Sequence, residues 1–118
     1  MVSRKVEAVD EGEETITRGT GNVFADLGYP DAEERQTKLR LAHAINDVLT
    51  RERLTQAAAA EKFGVNQPKV SALVNYKLEG FSVERLMMFL TALDQDVEIV
   101  IRRKPRSRAA GRISVVAA

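Results

Sequence analysis

At 118 residues, 44% hydrophobic and 30% charged, the chain has room for one small globular domain with a modest core and little else. The absence of cysteine and the single histidine exclude disulfides, thiolate zinc sites, cysteine nucleophiles and histidine clusters, so no metal and no cofactor is expected. The net charge of +1 hides a split: residues 1–34 hold three basic and nine acidic residues, a net −6, and residues 35–118 hold fifteen and eight, a net +7. An acidic arm on a basic body points to a polyanionic partner, although either surface can simply be solvated.

Residues 1–20 are polar and keep no period of 2 or 3.6, which reads as a disordered acidic arm. Met1 to Arg18 holds no apolar stretch of signal-peptide length, and no run approaches the roughly 20 residues that span a bilayer. A cytoplasmic protein without a membrane partner is the expectation. In 21–30, Val23, Phe24 and Leu27 precede Gly28 and Pro30, and a short helical turn there would pin Phe24 and Leu27 onto the domain. Asp31 is placed to cap a long helix over 32–53, with Glu33 and Glu34 in its first turn. Leu41, Ala42, Ile45, Val48 and Leu49 form that helix's apolar stripe. His43 falls about 200° from Leu41 and reads as a solvated surface residue.

Thr55 caps a short Ala-rich helix over 55–63, and Gly64 stops it. Asn66 caps the next helix, which has Pro68 in its first turn and runs to about Asn75. Gly80 breaks the chain, and Ser82 caps a fourth helix whose core stripe is Val83, Leu86, Met87, Leu90 and Leu93. After Asp94 the period changes. Val97, Ile99 and Ile101 alternate with Glu98, Val100 and Arg102, the pattern of one half-buried strand. From Arg102 to Arg112 there are six basic residues and no acidic one, with Pro105, Ser107 and Gly111 between them, which reads as a flexible basic tail.

The informative stretch is TQAAAAEKFGVNQPKVSALVNYK, residues 55–77, where two short helices meet at a tight turn. A small side chain near Ala60 lets the helices cross closely, and Phe63, Val65, Val70, Leu73 and Val74 fill the angle between them. Advancing about 100° per residue puts Leu73, Val74 and Lys77 within about 60° of Val70. The opposite face carries Pro68, Ser71, Ala72 and Asn75, flanked by Lys69 and Tyr76. Small and amide-bearing residues on an outer face suit close entry into a major groove, where amides read base edges. A helical hairpin in a plain bundle does not require glycine at the turn, alanine at the crossing and amides outside all together.

The run Gln56, Ala59, Ala60, Phe63, Gly64, Val65, Gln67, Val70, Ser71, Leu73 resembles the helix-turn-helix of the XRE family of lambda-repressor-like regulators. With GNVFADLG before it and GFSVERLMMFL and DVEIVIR after it, the chain over 21–103 is similar to the subfamily of HigA-type antitoxins and related XRE regulators. The resemblance implies a mainly α lambda-repressor-like bundle of about four or five helices with a C-terminal strand, leaving the arm at 1–20 and the tail at 104–118 outside it. It implies double-stranded operator DNA as partner, with residence on the nucleoid when bound. Gln56 would contact a phosphate and brace the recognition helix, and Gln67 would read a base. Lys69, Ser71 and Asn75 take positions that touch bases or backbone. Pro68 and Ala72 stand where readers are often polar, so direct readout is sparse and DNA shape matters more. Asn66, Tyr76 and Lys77 complete the expected DNA-contacting set over 55–77.

A lone strand after a helical bundle leaves its edges unpaired. Pairing with the same strand of a second copy about a two-fold axis answers that, so Val97, Ile99 and Ile101 are the expected dimer contacts. A homodimer then presents two recognition helices to half-sites about one helical turn apart.

Three functions compete: a dimeric DNA-binding repressor, its variant as an antitoxin of a HigBA/RelE-type pair that also sequesters a small RelE-type toxin, and a protein-interaction module with no DNA role. An enzyme needs convergent titratable groups. The pattern offers scattered surface acids and lysines instead, so no catalytic residue is assigned.

Overall fold

The computed structural model describes residues 32–117, so the acidic arm, the turn expected at 21–30 and the Asp31 cap lie outside the described residues. Four helices follow in order: α1 (Ala32–Arg51), α2 (Gln56–Phe63), α3 (Gln67–Val74) and α4 (Val83–Ala92). The architecture is mainly helical, and its middle pair has the arrangement of a helix-turn-helix.

The α1 stripe of Leu41, Ala42, Ile45, Val48 and Leu49 is buried, as its period requires, and His43 is exposed. Against the stripe pack Ala59 and Ala60 of α2, Val70 and Leu73 of α3, and Leu86, Phe89 and Leu90 of α4. Ile45, Leu73, Leu86 and Val70 are the largest side chains with essentially no exposure. The stripe expected on α4 turns slightly: Val83 and Met87 are half-buried, and Phe89 and Phe81 enter the core. Phe89 stacks on Phe63 with ring centroids 4.4 Å apart, and Phe81 meets it edge-on at 6.0 Å. An aromatic ring buries more area than a valine or methionine and gains from its neighbouring rings, so it takes the inward position.

Every short helix opens on a side-chain cap. Thr55 Oγ1 accepts from the Ala58 N–H, Asn66 Oδ1 from Lys69, and Ser82 Oγ from Arg85, each at 3.0 Å. All four helices close in one way. One or two residues past the end the chain turns left-handed, at Arg53 (φ 56°), Gly64 (71°), Tyr76 (61°) and Asp94 (63°). The next N–H then reaches back five residues: Leu54 to Leu49, Val65 to Ala60, Lys77 to Ala72 and Gln95 to Leu90, at 2.8–3.1 Å. This Schellman arrangement satisfies carbonyls that a helix end otherwise leaves unpaired. Glycine occupies one of the four left-handed positions, and at the other three the Cβ meets a carbonyl oxygen at a cost of about 1 kcal/mol each.

After Asp94 the described chain has no regular secondary structure, and the strand expected over 97–101 forms no ladder within the chain. A strand exists only where another strand takes its N–H and C=O groups, and the described residues supply none. Nor do the three apolar residues share a face. Val97 rests on the core, while Ile99 and Ile101 are 76% and 93% exposed. The chain passes a turn at Pro105 to Arg108. It returns to the core at Val115, whose carbonyl accepts from Arg40 Nη1 at 3.4 Å.

Candidate nucleic-acid interface

Asn66 and Pro68 fix where α3 begins: the Asn66 side chain takes the Lys69 N–H, and Pro68 stands in the first turn, where its missing N–H costs nothing. Val70 and Leu73 anchor the inner face with no exposure. The outer face is thereby set. Gln67 and Pro68 are exposed at the start of the helix, Ser71 and Ala72 are half-buried along it, and Asn75, Tyr76 and Lys77 are exposed at its end.

Several expected contact residues also have partners within the chain. The Asn75 amide donates back to the Ser71 carbonyl at 2.8 Å, which holds it against the helix end. Lys69 is half-buried: its ammonium donates to the Gly80 carbonyl at 3.0 Å and lies 4.7 Å above the Phe81 ring. It therefore ties α3 to the loop before α4, with donors left over for an external acceptor. Tyr76, left-handed where glycine is the unstrained choice, sets its hydroxyl 3.5 Å from His43 Nδ1 on α1.

Beside α3 lies a groove of about 590 Å³, lined by Asn46, Leu49, Thr50, Arg53, Leu54, Thr55, Gln56, Val74 and Tyr76. It brings Gln56 and Tyr76 together, twenty residues apart in sequence. It also adds Asn46, Thr50 and Arg53, which the sequence pattern does not single out. Asn46 Nδ2 is buried and has no acceptor among the described residues. A buried donor without an acceptor is costly. Among the groove's lining residues Arg53 carries a positive charge and none carries a carboxylate. Among the described residues no group of three or more His, Asp or Glu gathers as a metal site requires.

A helix-turn-helix domain family matches residues 23–102, from before α1 to beyond α4. A solved structure described as an XRE family transcriptional regulator is 81% identical, covers 75% of this chain and 100% of its own, and superposes with a TM-score of 0.72. The chain belongs to the XRE-type helix-turn-helix family. No curated protein matches it. In XRE terms α2 and α3 are the two motif helices and α3 is the recognition helix, so the ten positions that carry the resemblance fall on these two helices and the turn between them.

Proposed function

We propose that the protein is a sequence-specific transcription regulator, a repressor, that binds a two-fold operator as a homodimer through α2 and α3. The observation that carries this reading is the outer face of α3. A helix held by caps at its start, a Schellman closure at its end and two fully buried anchors presents Gln67, Ser71, Ala72 and Asn75 outward without a bulky side chain among them. Gln67 reads a base edge, Ala72 meets a thymine methyl, and Asn66, Pro68, Lys69, Tyr76 and Lys77 flank the duplex backbone. Gln56 stands at the start of α2, where the helix dipole favours a phosphate. Arg53, exposed on the lining of the groove beside Gln56, supports the same contact.

The dimer reading rests on Ile99, Val100 and Ile101, which stand exposed on a segment with no ladder partner. Two-fold pairing through Ile99 and Ile101, with Val97 kept on its own core, gives that backbone its partners and covers the exposed side chains.

The test is Gln67→Ala on two duplexes, the protein's own upstream DNA and a random sequence, at one salt concentration. The upstream duplex should lose about 1–3 kcal/mol of binding and the random one little. Equal losses on both remove Gln67 as a specificity contact, and a wild type that does not prefer its upstream DNA overturns the repressor reading.

A further inference from the structure

Val97 and Val115 both rest against the core, so the chain between them is an excursion held at both ends. It carries Arg102, Arg103, Lys104, Arg106, Arg108 and Arg112, all exposed except the half-buried Arg108. Arg108 Nη1 donates to the Ala110 carbonyl at 3.2 Å, and its N–H to the Pro105 carbonyl at 3.2 Å, which folds a turn into the excursion. The Ile113 N–H donates to Glu33 Oε2 at 2.8 Å. No acidic residue occurs from Ile99 to Ala118, and among the described residues none of the six cations has an ion-pair partner.

We propose that residues 102–112 are a second DNA contact, a sequence-independent one that grips the duplex backbone in addition to the helix-turn-helix. Six cations in eleven residues, with no ion-pair partner among the described residues, raise a strong local potential and recruit a polyanion. Five of the six are arginines, whose planar forks bind phosphate oxygens in pairs. A segment tied at both ends gives up less chain entropy on binding than a free terminus does. Alanine, serine, proline and glycine make up the rest of it, so nothing in the segment can read a base edge with an amide. It supplies affinity, and α3 supplies sequence preference.

The contact shares its partner with the function proposed above, and the experiment separates the two. The full chain is compared with two variants on a random duplex and on the upstream duplex, titrating salt from about 50 to 200 mM, with helix content checked by circular dichroism. One variant replaces all six cations with glutamine, and the other is Gln67→Ala. If three phosphate contacts are lost, the glutamine variant's log K against log salt flattens by about 2.7 on both duplexes, a loss of about 500-fold at 0.1 M salt. Its preference for the upstream duplex is kept. Gln67→Ala keeps the wild-type slope on the random duplex. A glutamine variant that is folded and keeps the wild-type slope overturns the proposal, whether or not α3 reads sequence. A flattened slope with no sequence preference in any of the proteins upholds this contact and removes the repressor reading alone.

Discussion

The block from α2 to α4 and the segment after Asp94 carry similar apolar residues and use them in opposite ways. In the block, every short helix has a capped start, every end is closed by a backbone bond five residues back, and Val70, Leu73 and Leu86 have no exposure. In the segment, Ile99, Val100 and Ile101 stand outward and no ladder bond forms. A helix satisfies its own backbone, so a few dozen residues complete it; a strand must borrow partners. The block is thus a finished unit, and the segment keeps exposed apolar side chains on backbone that forms no ladder among the described residues.

The contrast is sharpest at Leu73 and Ile101. Leu73→Ala empties a site with 0% exposure beneath the recognition helix and should cost about 2–5 kcal/mol in a urea melt. Ile101→Ala should stay within about 0.5 kcal/mol when the protein is dilute enough to be monomeric. Comparable losses at both positions would mean that the segment is as much a part of the monomer's core as α3.

Ile99→Lys tests the proposed two-fold pairing directly. Paired about a two-fold axis, two lysines meet near the same apolar patch, where repulsion and desolvation act together. The variant should sediment as a monomer at micromolar concentration with its helical signal intact, and its upstream-DNA affinity should fall much further than its random-DNA affinity, because the second half-site is no longer tethered. A wild type that is already monomeric leaves the segment open to a different chain, as the antitoxin reading requires of a small toxin.

A smaller effect separates the one glycine closure from the three strained ones. Gly64→Ala puts a Cβ into open space, yet φ 71° strains it, and about 1 kcal/mol should be lost. Asp94→Gly should gain about half of that, since aspartate tolerates the left-handed region better than most residues. No gain at Asp94 would show that its closure carries no strain.

These closures also explain how much was legible in the sequence. Thr55, Asn66, Ser82 and Gly64 are read from the chain because each satisfies a rule within four residues, and the helix bounds follow them closely. Arg53, Tyr76 and Asp94 do the work of Gly64 without its signature, so their left-handed turns could not be anticipated. Phe81 and Phe89 entered the core through each other and Phe63, pairings that no single helical stripe encodes. On the candidate interface, the outer face of α3 follows from periodicity alone. The groove does not, because Asn46, Arg53, Gln56 and Tyr76 come from three separate stretches, and the orphaned Asn46 amide shows itself only after folding.

The smallest effect is expected at Lys69, where a brace and a DNA contact share one ammonium. Its bond to the Gly80 carbonyl and its place over Phe81 are half exposed, so together they stabilise by under about 1 kcal/mol. Lys69→Met keeps the stem on the ring and removes the charge. It should lose that fraction of stability and, if the remaining donors reach a phosphate, flatten the salt dependence by about 0.9. Gly80→Ala separates the two roles. Its new Cβ would lie 3.0 Å from the Lys69 ammonium, the far end of a flexible side chain, which moves away with its charge intact. The brace is then lost and the cation kept, so stability should fall as in Lys69→Met while the salt slope stays at its wild-type value. Identical slopes in wild type, Lys69→Met and Gly80→Ala would assign Lys69 wholly to the fold, as the tie between the recognition helix and the loop before α4.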